Sequence, residues 1–125
     1  MLLHGSPFSP FVRKVLVLAH EVGLAGQIEH RHATLTPVSP DPAVTPDNPL
    51  GKVPALVLAD GRALYDSRVI CEYLDGLHDG PRMVPASGSA RLDVLRRQAL
   101  ADGLMDAAVL LRYETVLRPE ALRWP

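Results

Sequence analysis

Two rhythms of apolar and polar positions alternate along the first 77 residues, and each change of rhythm marks a new element. Leu2 and Leu3 open a short apolar run closed by Gly5, which predicts a strand. Ser9 and Pro10 then stand as cap and first helical residue before FVRKVLVLAHEVGL, whose helical periodicity carries to Gly23 or Gly26. In QIEHRHATL, Ile28, His30 and His32 share one face of an extended segment, with Glu29 and Arg31 on the other, giving a second strand. Two strands joined by one helix of this length form a right-handed βαβ unit with the strands parallel.

The pattern then breaks. Pro37, Pro40, Pro42, Pro46 and Pro49 exclude a regular ladder between Thr36 and Pro49, so a long ordered loop or an irregular helical turn is expected, of the kind that often binds ligands. PALVLADGRALY follows as a hairpin: two β-rich runs flank Asp60 and Gly61, the pair that a type I′ turn prefers. Ser67 caps the next helix, in which Ile70, Tyr73 or Leu74, and Leu77 recur at three- and four-residue spacing. HDGPRMVPASG, rich in Gly and Pro, reads as a linker over residues 78–88. From Ala90 to Leu117 the chain is helical and, between Ala99 and Leu111, apolar nearly all round, as in a helix surrounded by others in a bundle.

Composition narrows the class. At 125 residues, 47% hydrophobic and 22% charged, with a formal net charge of −1, the chain is that of an ordinary globular protein, and no electrostatic case exists for nucleic acid or anionic lipid. One cysteine, Cys71, forms no internal disulfide, and the five histidines fall in no metal-ligand spacing with it. Without a signal-like N-terminus or a long apolar run, a cytoplasmic, non-membrane protein is expected.

Three segments carry a resemblance: SPFSPFVRKVLVLA, NPLGKVPAL and LYDSRVICEYL, in this order and spacing, resemble the N-terminal domain of glutathione transferases. Within the family the chain is similar to bacterial members opening on an SP-rich segment followed by VRK, the YibF-like group among them. The resemblance implies an α/β, thioredoxin-like βαβ-ββα domain over residues 1–77, followed by the first helix of an all-α C-terminal domain, incomplete over residues 89–125. It also implies a fragment or a truncated relative, glutathione as co-substrate with no separate cofactor or metal, an electrophilic small molecule as second substrate, and a homodimer.

Ser6, Pro7, Phe8 and Ser9 occupy the place where glutaredoxins hold Cys-Pro-Tyr-Cys, with hydroxyls in place of thiols, so disulfide exchange at this position is excluded. A hydroxyl near a helix N-terminus can instead donate to the sulfur of glutathione and favour its thiolate. Lowering a thiol pKa by about two units takes about 2.7 kcal/mol, which charge-assisted hydrogen bonds of about 1.5–3 kcal/mol can mostly supply. Ser6 and Ser9 compete for this role. Ser6 comes first because Ser9, just before Pro10, serves as a cap, and because Ser6 matches the catalytic serine of theta- and zeta-like transferases.

By the same resemblance, Pro54 is the family's cis-proline, turning the Val53 backbone toward the cysteinyl part of glutathione, and Lys52 meets the glycyl carboxylate. Asp66 and Ser67 match the acid-Ser pair that holds the γ-glutamyl end, where free N–H groups at a helix start suit a carboxylate. Arg13, His30 and His32 read as ordinary surface or strand residues, and Cys71 as a small core residue. The function implied is that of a glutathione transferase. The alternative is a non-catalytic glutathione-binding or protein-interaction module, and a glutathione-dependent isomerase or reductive enzyme would share the same thiol site.

Overall fold

The structure of the protein, a computed structural model, describes residues 1–124. Backbone contacts divide the chain into two units, Met1–Met83 and Val84 onward. In the first unit β1 (Leu2–Gly5), α1 (Pro10–Glu21), β2 (Glu29–His32), β3 (Ala55–Val57), β4 (Ala63–Leu64) and α2 (Ser67–Asp75) follow in the predicted β-α-β-loop-β-β-α order. The sheet runs β2-β1-β3-β4, with β1 parallel to β2, and β3 antiparallel to both β1 and β4. This is the thioredoxin-like α/β arrangement expected.

Local chemistry explains the first helix. Ser9 Oγ accepts the Val12 N–H at 3.3 Å, and Pro10 occupies the first turn, where its missing donor costs nothing. The buried face of α1 is Val12, Val15 and Ala19, and that of α2 includes Ile70, Cys71 and Leu74. Both faces close over Leu3, Leu56 and Leu58 in one core, each such side chain contributing about 1.5–3 kcal/mol on full burial. Cys71 belongs to that core, as expected. Close packing of β1 on α1 needs Gly5: a Cβ there would lie 2.5 Å from His30 Nε2 and 2.7 Å from Val12 Cγ1.

Two local expectations are corrected. The hairpin does not turn on a two-residue type I′ loop. Leu58 N–H bonds the Arg62 carbonyl at 2.8 Å and Gly61 N–H bonds the Leu58 carbonyl at 3.1 Å, leaving Ala59, Asp60 and Gly61 as a three-residue loop. Only Gly61, at φ +85°, is left-handed, whereas type I′ requires positive φ at Asp60 as well. Nor does Ser67 cap α2. Asp66 does so, its carboxylate accepting the Arg68 N–H at 2.9 Å, and Ser67 is the first helical residue.

The proline-rich stretch is a series of tied turns. Ala33 N–H bonds the Gly5 carbonyl at 2.8 Å, Asp41 accepts from the N–H groups of Thr34 and Ala43, and Val44 is fully buried. In the second unit α3 (Gly88–Arg112) starts two residues before the expected Ala90, and past Arg112 the chain widens into a π-type turn, Tyr113–Leu117. Leu92, Leu100, Leu104, Leu110 and Leu111 of α3 are exposed. No helix among the described residues is long and apolar enough to cross a membrane.

Candidate functional site

Strand register brings distant segments of sequence to one end of the sheet. His4, next to last in β1, lies opposite Ala55, the first residue of β3, and Leu64, the last of β4, lies opposite Leu56. The end of β1, the start of β3 and the end of β4 therefore coincide. The residues immediately beyond those points are Ser6, Val53–Pro54 and Tyr65–Ser67. The start of α1 joins them: Lys14 Nζ is 3.5 Å from Ser67 Oγ.

Ser6 and Ser9 bracket a tight turn in which Ser9 N–H bonds the Ser6 carbonyl at 3.0 Å. Ser6 Oγ is 3.4 Å from the Phe8 nitrogen, and Ser9 Oγ caps α1. In both contacts the hydroxyl oxygen accepts, so each keeps its own hydrogen for a ligand. The helix start at Ser9 also places positive dipole charge beside that oxygen.

The Val53–Pro54 peptide is cis, as the sequence resemblance implies. Pro54 is buried, Val53 half-buried and Lys52 exposed. Val53 and Pro54 lie just before the β1–β3 ladder, which starts at Ala55. Tyr65–Asp66 is also cis. Asp66 is exposed and Ser67 is 2% exposed, its hydroxyl facing Lys14.

Three supporting residues escape the sequence reading. Lys14 carries no motif that separates it from Arg13, which is exposed; only the packing of α1 on α2 distinguishes them. Asn48 is buried, donates from Nδ2 to the Lys52 carbonyl at 2.8 Å and accepts the Leu50 N–H at 3.1 Å. The Asn48-Pro49 pair is a turn signal in the sequence and was the available hint. His4, buried in β1, reaches Asp47 across the fold, Nε2 to Oδ2, at 2.8 Å. His30 and His32 are exposed strand residues.

At the opposite end of the sheet lies an open depression of about 480 Å³ lined by Met1, Leu2, Gln27, Ile28, Val57 and Leu58. None of the candidate site residues lines it.

Comparison with known proteins gives this fold its family. Residues 3–82 match the family model of the glutathione S-transferase N-terminal domain, and the chain belongs to the glutathione S-transferase family. The GST-like protein YibF of Escherichia coli K12 is 40% identical over 121 residues, which cover 97% of this chain and 57% of YibF. A glutathione transferase family member from Pseudomonas fluorescens Pf-5, crystallised with bound glutathione, is 52% identical with a TM-score of 0.96, over 98% of this chain and 60% of that one. A glutathione S-transferase from Methylobacillus flagellatus KT, crystallised with glutathione bound, is 42% identical with a TM-score of 0.81, over 98% and 58%. The chain thus spans 57–60% of the length of these relatives.

Proposed function

We propose that the strand-end site binds glutathione and that a serine hydroxyl there favours its thiolate for attack on an electrophilic small molecule. The observation that carries this reading is the convergence of the Ser6–Ser9 turn, the cis Val53–Pro54 peptide and the Asp66–Ser67 helix start at one end of the sheet. Two of the relatives named above are crystallised with glutathione. In the proposed pose the Val53 backbone pairs with the cysteinyl residue as a strand would, Lys52 meets the glycyl carboxylate, and Asp66 with Ser67 holds the γ-glutamyl end. The thiol proton leaves to solvent, the sulfur forms a bond to the electrophilic carbon, and the leaving group departs with its electron pair.

Between the two hydroxyls, Ser6 comes first by resemblance, and helix position gives Ser9 a claim beside it. Capping uses its lone pair and not its hydrogen, so the cap role and donation to sulfur are compatible. Ser6 lacks the dipole contribution but lies at the end of β1, on the side where Val53 enters. We read residues 1–77 as the glutathione-binding domain, 78–88 as linker and 89–125 as part of a helical domain, in a protein that works as a cytoplasmic homodimer.

Calorimetric titration with glutathione, alongside conjugation of an aromatic halide, tests the reading. Binding and turnover that fall on Ser9→Ala or Ser6→Ala support it. Heat without turnover would instead support a non-catalytic glutathione-binding module, and no heat at all would remove the glutathione assignment.

A further inference from the structure

His4 stands out in the first unit. Its ring is 1% exposed, Nε2 is bonded to Asp47, and Nδ1 is buried with no hydrogen-bond partner among the described residues. An unmet buried polar atom costs about 1–3 kcal/mol, a cost that an aliphatic residue at this strand position would not carry. What the histidine adds is one bond across 43 residues of sequence, from β1 to the end of the proline-rich turns.

That bond leads to the candidate site in two steps. Asp47 is followed by Asn48, whose side chain holds the Lys52 carbonyl at 2.8 Å and the Leu50 N–H at 3.1 Å. Lys52 is followed by Val53 and the cis Pro54. Upstream, Asp47 N–H and Asn48 N–H both bond the Val44 carbonyl, at 3.0 and 2.8 Å, and Val44 is buried. The segment 44–53 is therefore tied at the buried Val44, at Thr45 to the Asp41 carbonyl, through the buried Asn48, and by Asp47 to His4 on β1, and it delivers the exposed Lys52 and Val53, which packs against the core.

We propose that His4 is a positioning residue for glutathione, acting through Asp47 and Asn48 to set the placement of Lys52 and the Val53 backbone. This inference rests on the glutathione reading above and extends it to residues that never touch the ligand. His4 Nε2–H donates and the Asp47 carboxylate accepts. When the bond is removed, the 44–53 segment loses its anchor on β1, so a ligand must order Lys52 and Val53 as it binds and affinity falls.

The test is a double-mutant cycle read by calorimetric titration with glutathione, using the chain as it is, His4→Phe, Asp47→Ala and the double variant. Each single change is expected to weaken binding about tenfold, equivalent to about 1.4 kcal/mol, and the double variant no further than the weaker single. Asp47→Asn, whose amide oxygen still accepts from Nε2, should restore most of the affinity, a rescue that general destabilisation would not give. Asp47 is 29% exposed at its side chain, so its variants leave the packing of the core side chains in place where His4→Phe changes it. Hydrogen exchange supplies a ligand-free measurement: amides of residues 44–53 should lose protection in Asp47→Ala while those of α1 keep theirs. Unchanged affinity in Asp47→Ala, additive losses, or uniform loss of protection would overturn the inference and leave the glutathione reading intact. Failure of the parent chain to bind glutathione would overturn both.

Discussion

Lys14 Nζ and Ser67 Oγ, 53 positions apart in sequence, meet at 3.5 Å where the first helix passes the start of the second. An ammonium donating to the serine oxygen leaves the serine hydrogen for an incoming carboxylate, and a cation beside a helix start strengthens its attraction for anions. Lys14→Met should weaken glutathione binding about three- to tenfold, whereas Arg31→Met on the exposed β2 should change it less than about twofold. Calorimetric titration decides, and equal losses in both would assign the effect to overall charge.

Ser9 and Ser6 separate by stability as well as by chemistry. Losing the cap in Ser9→Ala should cost about 1 kcal/mol, while Ser6→Ala should stay within about 0.5 kcal/mol. Thermal unfolding measures this, and the ultraviolet absorbance of the bound thiolate followed against pH measures activation. A thiol that titrates normally in Ser6→Ala and late in Ser9→Ala makes Ser9 the donor. The reverse makes it Ser6.

Gly5→Ala is expected to destabilise by about 1–3 kcal/mol, because the added methyl would fall 2.5 Å from His30 Nε2 and 2.7 Å from Val12 Cγ1. Denaturant titration checks the loss. A neutral outcome would mean that α1 can slide away from β1, contrary to the packing described.

Arg62, through its backbone N–H first and its guanidinium second, holds the Asp60 carboxyl below the usual carboxylate range. A depressed folded value means a contribution that is present above the ordinary carboxyl range and is lost as pH falls through the folded value. The stability difference between the parent and Asp60→Asn should therefore shrink toward zero on acidification. Denaturant midpoints across the acid limb would show it, and a difference that grows instead would reverse the sign.

Much of the fold was legible because local and long-range signals agree. Ser9-Pro10 with the periodicity of Val12, Val15 and Ala19 defines α1, and the β-rich runs on either side of Asp60-Gly61 define the hairpin. The turn type was missed because Asp-Gly suits both a two-residue loop and a type I turn ending in a left-handed glycine, and the register that chooses between them is set by Leu58 and Arg62. The cap of α2 was misplaced by one residue because Asp66 and Ser67 are both good caps in isolation. Pro54 was legible as cis through family resemblance alone. Lys14, His4, Asp47 and Asn48 were not, since each depends on which residues tertiary packing brings opposite, and no spacing in sequence encodes that.

The β3–β4 arm is short, pairing Leu56 with Leu64 and Val57 with Ala63, with a three-residue bend beyond Leu58. Because side chains alternate between faces, inserting or deleting one residue in this arm would deliver Asp66 and Ser67 to the wrong surface even if every other residue were kept. Between Pro54 and Asp66, then, the number of residues matters alongside the identity of the buried leucines.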